Sequence, residues 1–324
     1  MPRHFVDLFD LSAAELRELL DRAVALKGEE QKGHRSPLLD GRTLGLLFEK
    51  PSLRTRVSFE AAIAHLGGNA IFLQGRDVGL GVRETVADFA RVISQYVDAL
   101  VVRTFAHATV EELARSATVP VINALSDAAH PCQAMADLLT IREALGRLDE
   151  TKLVFVGDGN NVARSLAVAS ALAGVRFVLA CPPGYAFPDD FRARFAAAFP
   201  GTPLRVEHDP ARAVVGADVI YTDVWASMGQ EAEAEVRRAA FEPFRVDDAL
   251  LGRARPDVIF LHCLPAHRGE EVTASVLDGP RSLVIPQAAN RLHFQKALLV
   301  WLLADGPPAG SRRVAATGSR ARTP

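Results

Sequence analysis

Short apolar runs alternate with stretches of helical period along nearly the whole chain, and this alternation most limits what the chain can fold into. Residues 43–48, 99–103, 119–123, 153–156, 176–181, 219–222 and 258–262 are rich in Val, Leu and Ile and read as buried strands. Helical patterns lie between them at 52–66, 85–96, 111–116, 131–145, 162–173 and 189–199. An amphipathic helix over 11–27, with Ser12 as N-cap, precedes the series, and an apolar helix over 291–303 closes it. Such alternation predicts an α/β fold of parallel sheets flanked by helices. At roughly 150 residues per domain, 324 residues suggest two domains. The boundary is expected near Gly146 to Thr151, giving 1–147 and 148–305, with the last helix packing back on the first domain. The small, polar, arginine-bearing stretch 306–324 is expected to be a disordered tail.

With a net charge of −2, the chain has no global basic field for nucleic acid or an anionic membrane. Any anion site must be built locally. The three cysteines, Cys132, Cys181 and Cys263, form no disulfide framework and suit a reducing compartment. No apolar run reaches membrane-spanning length, and the first residues carry no long apolar leader, so a cytoplasmic location is expected.

One turn raises the functional question. The strand 43–48 stops at Pro51, and Ser52-Leu53-Arg54-Thr55-Arg56 then opens a helix. A helix N-terminus offers free backbone N–H groups and the positive end of the helix dipole. Cations are unfavourable there, so two arginines need an anion or a carboxylate partner. For Arg56 the simpler reading is an ion pair with Glu60, one helical turn on. Arg54, with the Ser52 and Thr55 hydroxyls, is suited to a phosphate. Other strand ends carry polar groups as well: Arg103-Thr104, His130-Pro131-Cys132-Gln133 and His262-Cys263-Leu264-Pro265. In α/β sheets, groups at strand C-termini converge on one crevice.

These motifs, together with Asp223-Val224-Trp225-Ala226-Ser227-Met228-Gly229, resemble the motif set of the ornithine carbamoyltransferases, within the aspartate/ornithine carbamoyltransferase family. The resemblance runs from about Phe5 to Asp305. It implies transfer of the carbamoyl group of carbamoyl phosphate to the δ-amine of L-ornithine, giving citrulline and phosphate, as in arginine metabolism. No cofactor and no metal are implied. The assembly implied is a homotrimer or an assembly of trimers. The first domain would bind carbamoyl phosphate and the second ornithine, closing on substrate, with the Ser227-Met228-Gly229 loop as a lid.

Carried onto this sequence, the resemblance gives Ser52, Leu53 (through its N–H), Arg54 and Thr55 the phosphate. Arg103 would bridge the phosphate and the carbonyl oxygen, and His130 would donate to that oxygen. Gln133 and the main-chain carbonyls near Cys263 and Leu264 would accept from the carbamoyl amide, and Arg291 would close over the same group. Asn161 would bind the carboxylate or amino group of ornithine, and Asp223 its α-ammonium. Ser227 and Met228 would wall in its chain, and Cys263 would sit near the δ-nitrogen. Arg103, His130 and Cys263 are the implied catalytic residues. The amine must be neutral to attack, and with an ordinary pKa near ~10.4 it is mostly charged at pH 7, so activity is expected to rise towards alkaline pH.

Other readings exist. Gly157-Asp158-Gly159-Asn160-Asn161 follows a strand like a dinucleotide fingerprint, but Val162 stands where a third glycine is expected and no acidic residue ends the next strand. A nicotinamide-dependent dehydrogenase is therefore disfavoured. His130, Cys132, His262 and Cys263 lack the usual zinc-ligand spacing. A non-catalytic binding protein would lack key residues, and here they are present. Among carbamoyltransferases, putrescine and N-acetylornithine are rival acceptors, and Asp223 argues for a free α-ammonium, which both lack. Two positions depart from the family pattern. Gly79 stands in the loop 77–81, where a Gln or His often reaches a neighbouring subunit, and no acidic residue immediately precedes Asn290-Arg291.

Overall fold

The computed structural model describes residues 2–226 and 231–304. The expected tail 306–324 and the Ser227-Met228-Gly229 loop therefore lie outside the described residues. The strands are β1 (Thr43–Phe48), β2 (Asn69–Gln74), β3 (Ala99–Arg103), β4 (Val121–Leu125), β5 (Lys152–Val156), β6 (Arg176–Ala180), β7 (Arg205–Glu207), β8 (Val219–Thr222) and β9 (Ile259–His262). They form two parallel sheets, ordered β2-β1-β3-β4 and β7-β6-β5-β8-β9.

Each order contains a reversal. In the first sheet the chain builds β1, steps out to β2, then returns to the other side of β1 for β3 and β4. In the second it runs β5, β6, β7, then crosses to β8 and β9. The loops leaving β1 and β3, and those leaving β5 and β8, therefore diverge and leave a crevice beyond the strand C-termini. Those loops carry Glu49 to Ser52, Arg103-Thr104, Gly157 to Asn161 and Asp223.

Local sequence explains most element ends. Ser12 caps the helix Ala13–Gln31 through a capping box with Glu15. Ser52 caps Leu53–His65, and Gly67, at φ 88°, follows its end, as a left-handed turn requires. Pro131 occupies the first turn of Pro131–Leu145, where a missing N–H costs nothing. Two edge strands were not singled out in sequence: β7, three residues long with no apolar run, and the half-exposed β2, despite its run Ala70 to Leu73. Ala234–Phe241 is a further helix that the sequence reading did not assign.

The last helix, Val284–Leu303, begins seven residues earlier than its apolar pattern indicated. It leaves the second sheet and packs on the helices Pro131–Leu145, Ala13–Gln31 and Leu53–His65 of the first unit. One buried apolar cluster runs through both units, including Leu16, Phe59, Leu138, Leu166, Phe155 and Phe294. This packing brings Arg291 to Thr55, at the start of the helix after β1, and Gln287 to Asp137 of Pro131–Leu145.

Candidate active site

The phosphate-type turn is built as a helix start. Ser52 Oγ accepts from the Thr55 N–H at 3.3 Å and donates to Thr55 Oγ1 at 3.0 Å. Arg56 turns away: its Nε meets Glu60 at 2.9 Å, and its guanidinium lies 3.8 Å from the Phe72 ring centroid. Arg54 makes no ion pair among the described residues. Arg103 ends β3 with 6% exposure, its Nε buried and unpartnered among the described residues. Arg291 arrives from the last helix, and its Nη2 donates to Thr55 Oγ1 at 2.5 Å.

Three cations thus face one small space. Burial, reinforced by repulsion from Arg291 and Arg54, lowers the Arg103 pKa to about 10, still protonated at neutral pH. Burial likewise lowers that of Arg291. His130, 5% exposed, is pushed well below the ordinary imidazole range by burial and then by Arg291 and Arg103. It is therefore neutral, and its Nδ1 is buried without a partner. Arginines and a neutral imidazole, desolvated and without an ion-paired carboxylate among the described residues, suit an anion that also carries a polar oxygen.

Gln133, in the first turn after His130, is buried. Its Nε2 donates to Asp137 Oδ1 at 2.8 Å, and its Oε1 has no partner. A free, buried acceptor thus sits beside the cationic cluster, as an amide N–H ligand requires. Its partner Asp137 also accepts from Gln287 Nε2 at 2.6 Å, and Gln287 Oε1 accepts from the His262 N–H at 2.9 Å. Burial raises the Asp137 pKa to about 7, although the Gln287 and Gln133 bonds oppose the rise.

Beyond β9 the chain turns sharply. Leu264 has a φ of 58°, and the Leu264–Pro265 peptide is cis. His262 Nδ1 accepts from the Leu264 N–H at 2.8 Å, so the ring proton lies on Nε2 and is donated to Glu271 at 3.2 Å. Both side chains are fully buried. The turn presents Cys263, whose Sγ donates to Asp223 Oδ1 at 2.9 Å. Burial, then Asp223, raises the thiol well above its usual range, so Cys263 is a neutral donor. Asp223 Oδ2 accepts from Asn160 Nδ2 at 3.1 Å. Asp223, His262 and Cys263 lie close enough together to hold a metal ion, without His130 or Cys132, but their donor atoms are engaged as just described.

Next to Asp223 opens a cleft of about 540 Å³, lined by residues that include Asn160, Asn161, Asp158, Asp127, Lys50 and Arg164. A separate cavity of about 450 Å³ behind β6, lined by Phe177, Phe195 and Leu204, lies away from these groups. Asn161 Nδ2 donates to the Ser126 carbonyl at 2.7 Å, bridging the two sheets' loops. Asn160, passed over in the sequence, is both the N-cap of Asn161–Ala173 and the residue that touches Asp223. Gly159 has a physical reason: a Cβ there would lie 2.7 Å from the Phe187 nitrogen. Its neighbour Asp158 pairs with Arg237 at 2.8 Å.

Of the residues singled out in sequence, Ser52, Thr55, Arg103, His130, Gln133 and Arg291 are tied into one cluster by these contacts and charges, and Cys263 and Asp223 are bonded to each other. Arg54 is felt electrostatically by Arg103 and Arg291. Leu53 lies at the helix start with its side chain 77% exposed, so only its backbone suits a ligand. Ser227 and Met228 lie outside the described residues. Asp137 was missed although it stands four residues after Gln133 on one helix, a spacing that signals contact. Gln287 had no such signal. Gly79 caps a short helix at φ 62°, and a Cβ there would meet Arg83, so the glycine suits its turn. Asn290, which no acidic residue immediately precedes in sequence, is held by Lys27, Thr140 and Glu143.

Residues 3–143 match the family model "Aspartate/ornithine carbamoyltransferase, carbamoyl-P binding domain", and residues 149–302 match "Aspartate/ornithine carbamoyltransferase, Asp/Orn binding domain". A protein of Anoxybacillus flavithermus named ornithine carbamoyltransferase is 54% identical over 303 residues, covering 93% of this chain and 96% of that one. The anabolic ornithine carbamoyltransferase of Pyrococcus furiosus is 53% identical over 304 residues, 93% of this chain and 96% of its own. The solved structure of the ornithine carbamoyltransferase from Pyrococcus furiosus superposes with a TM-score of 0.90 at 51% identity, covering 94% of this chain and 98% of that one. That from Thermus thermophilus gives 0.84 at 46% identity, with 94% and 99% covered.

Proposed function

The chain belongs to the aspartate/ornithine carbamoyltransferase family, and on that premise we propose that it transfers the carbamoyl group of carbamoyl phosphate to the δ-amine of L-ornithine, giving L-citrulline and phosphate. The observation that carries this reading is the charge arrangement. Arg103 and Arg291 are buried beside a helix N-terminus with no ion-paired carboxylate among the described residues, while the carboxylate of Asp223 lies against the Cys263 thiol. The first half suits a dianion, the second an ammonium.

The roles follow from position and chemistry. Ser52, Thr55, Arg54 and the Leu53 N–H hold the phosphate, where free backbone donors and the helix dipole add to the side chains. Arg103 spans the phosphate and the carbonyl oxygen. His130, neutral, donates to that oxygen as charge builds on it during attack. Gln133 and the carbonyls of Cys263 and Leu264 accept from the carbamoyl amide, which places the carbonyl carbon towards the acceptor amine. Arg291 completes the shell. Asp223, with Asn161, takes the amino-acid end of ornithine; the family resemblance gives Ser227 and Met228, outside the described residues, the task of enclosing its chain. The neutral Cys263 thiol lies near the attacking nitrogen. As the new C–N bond forms, the bond from carbon to the phosphate oxygen breaks, the attacking nitrogen gives up one proton to the departing phosphate, and phosphate leaves into the site that held it.

The reading extends to organisation. Residues 1–147 form the carbamoyl phosphate domain and 148–305 the ornithine domain, with the last helix returning to the first. The assembly is a homotrimer or an assembly of trimers, supported by exposed apolar side chains at Leu53, Val57, Ile71, Val92 and Tyr96. The setting is cytoplasmic arginine metabolism. The three cysteines are free, and no helix among the described residues is long and apolar enough to cross a membrane.

The test is citrulline formation by purified protein with carbamoyl phosphate and L-ornithine at about pH 8, chosen for amine deprotonation. Parallel reactions hold aspartate, putrescine and N-acetylornithine. Turnover with ornithine alone is expected. Turnover with N-acetylornithine or putrescine in its place would overturn the role of Asp223.

A further inference from the structure

Asp137 has no place among the groups that touch substrate, yet it is fully buried and the two amide hydrogen bonds it accepts converge on one atom. Its Oδ1 accepts from Gln133 Nε2 at 2.8 Å and from Gln287 Nε2 at 2.6 Å. Its Oδ2 is buried, and the buried Tyr221 hydroxyl lies against the carboxylate. Gln287 in turn receives the His262 N–H, the last of β9 before the Cys263 turn.

A carboxamide has a donating and an accepting end, which differ little in shape. What decides its orientation is the partner. We propose that Asp137 is a positioning residue that locks the Gln133 amide with its carbonyl oxygen free for the carbamoyl amide of the substrate, and joins it through Gln287 to the turn bearing Cys263. This rests on the reading of Gln133 given above. A flipped Gln133 would present its NH₂ to the substrate's NH₂, donor against donor. An acceptor at Asp137 Oδ1 opposes that flip, since a carbonyl oxygen turned towards it would face lone pairs. Because both bonds fall on Oδ1, a proton taken up by Asp137 goes to Oδ2 and leaves the orientation intact. The lock therefore depends on an acceptor at Oδ1 and not on charge.

The experiment is a double-mutant cycle on the full chain, reading kcat and KM for each substrate and the thermal midpoint of each variant. Asp137→Leu removes the acceptor, Asp137→Asn keeps it, and Gln133→Ala removes the positioned group. Expected is a loss of about 10- to 100-fold in kcat/KM for carbamoyl phosphate in Asp137→Leu, the range of an orphaned buried hydrogen-bonding group. KM for ornithine should stay unchanged, and Asp137→Asn should remain near wild type. On the Gln133→Ala background Asp137→Leu should add almost nothing. If the two losses multiply, or Asp137→Leu turns over normally while only its thermal midpoint falls, Asp137 is merely structural and the inference is overturned. If Gln133→Ala is itself as active as wild type, the role given to Gln133 falls, and this inference with it. Should Asp137→Leu fail to fold, Asp137→Ser, whose hydroxyl is too short to reach both amides, takes its place in the same cycle.

Discussion

Arg291 Nη2 donates to Thr55 Oγ1 at 2.5 Å, joining two residues 236 positions apart. The last helix starts beyond the second sheet, yet it completes the turn that follows the first strand. Thr55 Oγ1 also accepts from Ser52, so one hydroxyl gathers the helix cap and a buried guanidinium.

Thr55→Val keeps the shape of this residue and removes the hydroxyl. Arg291 is then left with a buried, unpaired donor, which costs about 1–3 kcal/mol. A lowered thermal midpoint and a raised KM for carbamoyl phosphate are expected, with KM for ornithine little changed. Differential scanning and steady-state kinetics on the same preparation check both. Unchanged values in both would show that the contact carries no energy.

The two halves of the site should separate by mutation. Arg54→Ala removes a planar, doubly donating cation from the phosphate end. A fall of about 100-fold or more in kcat/KM for carbamoyl phosphate is expected, at the upper end for a charged hydrogen bond. Asp223→Ala removes the carboxylate held by Asn160 and Cys263, and the damage should fall on KM for ornithine. Isothermal titration with phosphate checks the separation: Arg54→Ala should lose this binding and Asp223→Ala should retain it.

The pH profile has two expected parts. The ornithine amine ordinarily titrates near ~10.4, so kcat/KM for ornithine should climb by about tenfold per pH unit from pH 7. His130 is held neutral by burial and by two arginines. Its protonation therefore lies below the neutral range, and no shoulder is expected near pH 6.5. A clear inflection there, abolished by His130→Gln, would refute that electrostatic picture.

Asp137 gives a stability prediction with a definite sign. Burial raises its pKa from 3.8 to about 7, so between these values the folded chain holds a proton that the unfolded chain has lost. Its contribution to stability is thus fully present below pH 3.8 and is lost as pH rises through about 7. Asp137→Asn does not titrate. Relative to wild type it should gain stability from pH 4 to pH 8, by no more than about 4 kcal/mol, and then level off. Chemical denaturation midpoints at several pH values measure this, and a constant difference would rule it out.

Much of the molecule was legible in the order of residues. The buried strands show themselves because both faces of a parallel sheet are apolar. Ser12 and Ser52 mark helix starts because a side-chain oxygen there satisfies free backbone donors. Arg103, His130 and Cys263 were found because strand C-termini feed one crevice. The ion pair of Arg56 with Glu60 was predictable from a four-residue spacing.

The remainder belonged to the tertiary structure. Edge strand β7 lacks an apolar run, and β2, although it holds Ala70-Ile71-Phe72-Leu73, is only half-buried at its sheet's edge, so neither stood out as a buried strand. The choice between Asn160 and Asn161 as the neighbour of Asp223 depends on where β8 ends beside β5, not on either residue's chemistry. Local sequence also says nothing of Gln287 reaching Asp137 or of Arg291 reaching Thr55, because those contacts join helices more than 100 residues apart in the chain. The sequence by itself determined which side chains end at the crevice. Only the packing of the last helix across both units decided how their charges and amides are oriented, because hydrogen-bond direction is set by the partner that the fold brings.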